Sequence, residues 1–465
     1  MFQLFFRLSF ILVAVFALAG CDDLGKVNWS PDGRHCAVLS EHNLQIGDAT
    51  GALHAEPSLD SAIFEWLPDS KSAIVVTGKK ASWSELSKLI SAMDIKKIAT
   101  DANYIFSHRN ELKPPNYDKF SPDYDGNVYD LYLKNRYGKP YLSSAAHKAL
   151  ADNSMNTPPV IHTAQIYDFS VSPAVARTVL LQTAKQITAI NVAPSGRLVA
   201  ISEKENIGCK LSVVSANGVE RRVVSRLVSP SICWSADSRA VFFVSEDNAL
   251  SDEVLKKGTL KKVMVAGQNG PLLPKPDKAE SLACVEFDQA NTLHCLPDGS
   301  ILFKSQEFRF PNLNDGSLNR SIFALRADGK AIDKLKLSTD IPECDVQAYA
   351  VNHSGTKLVA SGARGQVWLM DLQSHVSTTV QGDIGDAKLA PSWRTDDQFT
   401  YAIRNHARSA NGHDVEVVLR NANDLSEQII SKDWSSKDVS FLQDEEKDDK
   451  KDNEKQKAKG KQLHR

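Results

Sequence analysis

One short signature constrains this chain more than any other feature. At Trp29-Ser30-Pro31-Asp32-Gly33 an aromatic residue runs into a tight-turn string, and the apolar run Cys36-Ala37-Val38-Leu39-Ser40 follows. Proline presets φ for the first central position of a turn, Asp or Ser holds the turn through its side chain, and Gly accepts a positive φ. Equivalent strings follow Trp66 (Pro68-Asp69-Ser70), Val192 (Pro194-Ser195-Gly196), Trp234 (Ala236-Asp237-Ser238) and Cys295 (Pro297-Asp298-Gly299). Two more follow Val351 (His353-Ser354-Gly355) and Trp393 (Thr395-Asp396-Asp397).

Each string joins two strand-like runs rich in β-branched and aromatic residues, so each copy is expected to be a hairpin. Many copies have a second hairpin downstream, as in Leu211 to Ser225 and Gln366 to Val380. Two hairpins per repeat make a four-stranded propeller blade. The chain is therefore expected to be all-β, a β-propeller of seven or eight four-stranded blades with a partly helical insertion. The reference residues are spaced at intervals of 37, 126, 42, 61, 56 and 42, against about 40–45 for a bare blade. The interval of 126 must hold either one blade with a large insertion or additional degenerate blades. Ala164 to Gln182 reads as an outer hairpin, and Phe120-Ser121-Pro122-Asp123 as a weaker copy of the turn. The Trp and its apolar substitutes are expected to fill the space between neighbouring blades.

The Trp-Ser-Pro-Asp-Gly units resemble the WD-repeat-like blades of the TolB family of periplasmic propellers, over about Val27 to Ser440. The resemblance implies the fold and, by analogy only, a role in protein binding, because such blades occur in enzymes, scaffolds and sensors alike. TolB itself carries an extra N-terminal domain, whereas here the first blade begins directly after a five-residue stretch.

The N-terminus sets the expected location. In MFQLFFRLSFILVAVFALAGC, Arg7 is the one charged side chain, an apolar run spans Leu8 to Leu18, and small residues precede Cys21. A basic start, a short apolar run and a small-residue end read as an export signal, too short for a comfortable membrane span. The string Leu18-Ala19-Gly20-Cys21 resembles a bacterial lipobox, which implies cleavage at residue 20 and lipidation of Cys21. Asp22 and Asp23 resemble the enterobacterial signal for retention at the inner membrane, giving an expected place on its periplasmic face, with the outer membrane as the alternative. Residues 21–26 would be the lipidated Cys and a short tether, 27–443 the propeller and 444–465 a tail.

Two segments depart from the blade pattern. Ser82 and Glu85 form a capping box, and Leu86, Leu89, Ile90, Met93 and Ile98 follow at helical spacing, predicting an amphipathic helix from Trp83 to about Thr100 within an insertion at about 80–160. Of ten Tyr in the chain, seven lie there: Tyr104, Tyr117, Tyr124, Tyr129, Tyr132, Tyr137 and Tyr141. With Arg109 and Arg136 they have the composition of an interface, since Tyr and Arg are enriched where proteins meet. The competing reading is a β extension in which Tyr suits strands. Asp123 to Asp130 alternates oxygen ligands but lacks the closing Glu of a calcium loop, so it reads as a solvated turn. The tail from Asp444 has no aromatic residue and 15 charges in 22 positions, too little apolar surface to bury a core.

No catalytic constellation stands out. There is no G-x-S-x-G elbow, H-E-x-x-H pair or phosphate-binding Gly pattern, no metal site and no cofactor is expected, and a net charge of −2 gives no case for nucleic acid. Six Cys follow Cys21. In an exported chain Cys209 and Cys233, or Cys284 and Cys295, are the nearest candidate pairs for a bridge, and burial as free thiols is the alternative. Two functions remain: a membrane-anchored, non-catalytic propeller that holds a protein or peptide partner near the bilayer, or a propeller lyase or hydrolase acting on an envelope polymer at the central channel.

Overall fold

A computed structural model describes residues 27–40, 43–80, 85, 88–89, 160–205, 208–246, 257–267, 270–286, 293–306, 320–337, 345–362, 365–381, 390–404 and 415–431. The expected helix, apart from Glu85, Lys88 and Leu89, the weak turn at Phe120 to Asp123, the Asp123 to Asp130 loop, the expected signal segment and the tail lie outside those residues.

All 26 elements described are strands, and the described residues divide into two bodies, one within residues 59–335 and the other within 27–58 and 336–431. The second body begins with β1 (Val27–Trp29), β2 (His35–Ser40) and β3 (Asn43–Asp48). Strand β4 (Leu53–Trp66) pairs with β3 at its start, crosses the boundary, and pairs at its end with β5 (Ser72–Lys80). The first body continues with β6 (Val160–Asp168), β7 (Val175–Thr183), β8 (Ile187–Val192), β9 (Leu198–Lys204), β10 (Cys209–Ser215) and β11 (Arg221–Trp234). It then has β12 (Ala240–Glu246), β13 (Lys257–Met264), β14 (Glu280–Glu286), β15 (Leu293–Cys295), β16 (Ile301–Gln306), β17 (Arg320–Leu325) and β18 (Ile332–Lys334). The second body resumes with β19 (Val346–Val351), β20 (Lys357–Gly362), β21 (Val367–Asp371), β22 (Ser377–Gln381), β23 (Ser392–Thr395), β24 (Gln398–Arg404), β25 (Val415–Asn421) and β26 (Glu427–Ile429).

Neighbours in sequence pair antiparallel throughout, in sheets β1–β7, β8–β14, β15–β18, β19–β22 and β23–β26. The two seven-stranded sheets each contain one 14-residue strand, β4 or β11. The first half of β11 pairs with β10 and the second half with β12, with a register shift between Val228 and Ile232. The outer strand of one unit thus runs on as the inner strand of the next. Cut at these long strands, the described residues fall into four-stranded antiparallel units of the kind that build a β-propeller. The strands flanking residues 81–159 are β5 and β6 of a single blade, so that stretch enters between its second and third strands.

Six of the seven turn motifs share one geometry, and the seventh, at Thr395-Asp396-Asp397, is a tighter link between β23 and β24 without a positive φ at Asp397. Gly33, Ser70, Gly196, Ser238, Gly299 and Gly355, each four residues after its reference position, all have positive φ. Each donates its amide to the carbonyl three residues back, as Gly33 does to Ser30 at 2.8 Å and Ser238 to Ser235 at 2.8 Å. The Asp side chain closes the turn: Asp69 accepts from the amides of Lys71 at 3.0 Å and Ser72 at 2.8 Å. Serine at positive φ costs more than glycine, and in Ser238 its hydroxyl is used, accepting from the Ser195 amide of the preceding blade at 2.9 Å.

The reference residues join blades as expected. Trp234 Nε1 donates to the Asn191 carbonyl at 3.0 Å, and its ring lies in a cluster with Ala193, Leu198 and Leu211 of the preceding blade. Trp393 Nε1 donates to the Ala350 carbonyl at 3.0 Å and packs on Val359 and Val367. Trp29 in the first blade packs on Val417 and Leu419 in the last, with Nε1 donating to Thr400 Oγ1 at 3.2 Å and the Arg394 guanidinium over the ring. The two ends of the propeller are therefore joined inside the second body. Asn191 and Ala350 each precede the reference residue of their own blade, so Trp234 and Trp393 reach back to the same place, whereas Trp29 reaches a hydroxyl instead.

Candidate functional site

Cys21, Asp22, Asp23, Tyr104, Arg109, Tyr117, Tyr124, Tyr129, Tyr132, Arg136, Tyr137 and Tyr141 all lie outside the described residues. What the structure describes is the ribbon from which the Tyr-bearing segment departs. Strands β5 and β6 pair along their whole length, from Ser72 with Asp168 to Lys80 with Val160. Residues 81–159 thus leave and return at adjacent positions on one antiparallel ribbon, at the end opposite the Pro68-Asp69-Ser70 turn.

The ribbon is buried on both faces at its turn end, with Ala73 and Val75 at 0% exposure on one of them. Ile74, Val76, Ala164 and Ile166 alternate inward into a cluster with Leu180, Leu181 and Ile190, as a two-residue period requires. At the turn end, the rings of Phe64, Trp66 and Phe169 meet edge to face at 5.0–5.7 Å. Asp168 accepts from the Ser170 amide at 2.9 Å and is paired with Arg177. The Ser170 hydrogen bonds, followed by the Arg177 charge, hold its carboxyl below the usual range. At the far end the ribbon is plainer. Gly78 faces Val160, where a Cβ would stand 3.2 Å from Cγ1. Burial pushes the His162 pKa below its ordinary value. Lys79 Nζ meets Glu85 Oε1 at 3.5 Å with both side chains exposed, a contact of little energy.

The following blade carries an ionic network absent from the sequence expectations. Glu203, 2% exposed, is paired with Lys210 Nζ at 2.7 Å and with Arg221. Two residues on, Glu205 accepts from Lys185 Nζ at 2.9 Å and Arg226 Nη1 at 2.8 Å. Burial raises the Glu205 pKa, but the hydrogen bonds and charges of Lys185 and Arg226 outweigh it and leave the carboxyl below its ordinary value. Glu286 and Arg320 form a third pair, at 3.2 Å. The available signal was a charged residue closing an apolar run, as in Leu198-Val199-Ala200-Ile201-Ser202-Glu203. Each of these carboxylates has its cation, so the network is built to hold strands rather than to move protons.

Two of the thiols, Cys36 and Cys209, are likewise unprepared for attack. Cys36, Cys209, Cys233, Cys284 and Cys295 are free. Burial and then the Asp48 charge push the Cys36 thiol up to about 12, and burial raises Cys209 above its ordinary value, whereas a nucleophilic Cys needs a lowered pKa. The pairings expected from nearness in sequence are not made. Cys209 lies in the cluster around Trp234, while Cys233 faces the next blade, and Cys284 is exposed where Cys295 is half-buried. Among the described residues no group of three or more His, Cys, Asp or Glu is arranged to hold a metal.

No family model and no curated protein matches the chain. Among solved structures it is similar to TolB from Acinetobacter baumannii, at 12% identity and a TM-score of 0.39 over 87% of this chain and 77% of that one. It is similar to the β-propeller domain of the Trilobed protease from Pyrococcus furiosus, at 9% identity and a TM-score of 0.47 over 88% and 98%. The tricorn protease is similar at 11% identity and a TM-score of 0.48 over 89% of this chain, which spans 36% of that one.

Proposed function

We propose that this chain is a lipid-anchored propeller of the bacterial envelope that binds a protein or peptide partner through the Tyr-rich segment within residues 81–159, as a non-catalytic scaffold. The observation that carries the reading is the pairing of Lys80 with Val160. It makes the segment an excursion from a packed ribbon, a way of presenting contact residues from a scaffold that keeps its own shape. The composition supports it, with seven of the ten Tyr in that excursion. Tyr gives a large contact area for little lost entropy.

The anchor follows from Arg7, the apolar run and Leu18-Ala19-Gly20-Cys21, with Asp22 and Asp23 directing the chain to the periplasmic face of the inner membrane. Five residues separate Cys21 from β1 and reach at most about 17 Å. A blade tethered so closely favours partners that are themselves in or on the membrane.

The test is in-cell crosslinking and co-purification of the full chain beside a variant whose residues 82–158 are replaced by a two-residue hairpin turn. Because Lys80 and Val160 already pair, the variant is expected to keep the parent's melting temperature. A specific protein captured by the parent and lost with the replacement supports the reading. Capture that survives moves the interface to the blades and overturns it.

A further inference from the structure

Trp234 and Trp393 each span to the backbone of the residue that precedes the reference position of the blade before. At the junction between the blade of β12–β14 and the blade of β15–β18, the reference residue is Cys295, and the residue one step back in the preceding blade is Cys233. At this junction both of those positions are cysteines, and Cys295 is near enough for its charge to bear on Cys233.

The packing agrees. Side chains alternate along β11, so Trp234 enters the cluster behind it while Cys233 enters the cluster ahead, with Phe242, Val285, Leu293 and Phe303. Cys295 packs against that same cluster, and its sulfur is met by the Ala236 amide of the preceding blade's turn. Strands β11 and β15 lie side by side, with Cα pairs inside 8 Å, a range that includes the separation of about 4.4–6.8 Å across a disulfide. Cys233 is buried and Cys295 is half-buried, so one thiol is reachable from solvent and the other waits behind it.

We propose that Cys233 and Cys295 are an oxidisable pair that closes to a disulfide across this blade junction, in the place where other junctions carry a Trp–carbonyl hydrogen bond. The oxidant is a disulfide, either low-molecular-weight or that of an oxidoreductase. The Cys295 thiolate attacks one of its sulfurs and releases the other as a thiolate, giving a mixed disulfide. The Cys233 thiolate then attacks the Cys295 sulfur and expels the second thiolate. Two protein thiols are oxidised, one disulfide is reduced to two thiols, and both protons pass to solvent or to the departing thiolates.

The test uses the reduced full-length chain and oxidised glutathione, in buffer and in urea below the unfolding transition, which raises the population of open blades. Remaining thiols are alkylated and the peptides mapped without reduction. The expected result is a linked peptide pair containing Cys233 and Cys295, with neither residue alkylated or carrying glutathione, and abolition of the link in both Cys233→Ala and Cys295→Ala. In Cys233→Ala, Cys295 should instead stop at the mixed disulfide with glutathione. Recovery of both thiols free in buffer and in urea, while exposed Cys284 is glutathionylated, overturns the proposal. A link from either residue to a different cysteine does the same.

Discussion

The junctions at Trp393 and at Cys295 occupy the same step of the repeat and are built differently. At Trp393 one large side chain does two jobs: its ring fills the gap beside Phe399, with centroids 5.2 Å apart, and its indole NH ties down a carbonyl of the preceding blade. At Cys295 these jobs are separated. Aromatic volume comes from Phe303 and Phe323, stacked with centroids 5.7 Å apart, and from Phe242 of the preceding blade. What the reference position contributes is a thiol. The repeat thus requires a filled junction, not a Trp, and where other residues do the filling the position is released for other chemistry.

The largest expected effect separates the two designs. Trp393→Ala and Trp234→Ala should each cost about 3–5 kcal/mol, the usual range for truncating a buried aromatic residue, read as a lower urea midpoint with an unchanged slope. Cys295→Ala in the reduced protein should cost about 1 kcal/mol, because it removes one sulfur from a junction packed by others. Cys295→Trp should destabilise by about 1–3 kcal/mol, since the volume it brings is already occupied. A gain in stability from Cys295→Trp would mean that the slot is empty and the comparison mistaken.

The repeat was legible in the sequence because its turns are dictated locally. Pro, Asp and Gly at Pro31 to Gly33 or Pro297 to Gly299 act on their own backbone, and the hairpins at Leu211 to Ser225 and Gln366 to Val380 stand where the turn chemistry put them. The blade boundaries were not legible in the same way. Residues 53–66 and 221–234 pass from one blade to the next as continuous strands, with no Gly or turn string at the handover, so the interval of 126 could be read as one blade or several. The Cys233–Cys295 junction was missed because nearness in sequence is a poor guide to contact in a repeat fold. The signal was present nonetheless: a Cys standing at the reference position and another one step before the preceding reference residue. In the candidate site, composition exposed the Tyr-rich segment, but its departure from a paired ribbon follows from the β5–β6 register, which depends on strands separated by 79 residues.

The same contrast reaches the turns. At Gly33 a Cβ would stand 2.7 Å from the Arg394 carbonyl oxygen, in the blade on which Trp29 packs. At Gly299, the turn after Cys295, a Cβ would meet only the Ala327 Cβ within its own blade, at 3.4 Å. Both have positive φ, 67° and 87°, so Ala at either pays the left-handed penalty of about 1–2 kcal/mol. Gly33→Ala must also push a neighbouring backbone away, and should lose about 1 kcal/mol more than Gly299→Ala when the two are unfolded side by side. Equal losses would show that the turns at both junctions are free of their neighbours.

The smallest effect is on rate and tests whether the Cys295 junction is as enclosed as the Trp junctions. Burial raises the thiol pKa of Cys233 well above its ordinary value, and the nearby Cys295 adds to the shift. Burial also raises Cys295, with the Asp298 and Asp237 charges pushing the same way. Only the thiolate attacks a disulfide, and a raised pKa lowers the thiolate fraction at neutral pH. Closure of the pair by oxidised glutathione should therefore be slow at pH 7 and quicken about tenfold per pH unit, equivalent to about 1.4 kcal/mol per unit. The rise should continue beyond about pH 8.5, where an ordinary exposed thiol levels off. Time courses of linked peptide at pH 7, 8 and 9 check this. A rate that flattens near pH 8.5 would place both thiols in water and make the junction an open seam, with the Phe303 and Phe323 packing too loose to replace a Trp.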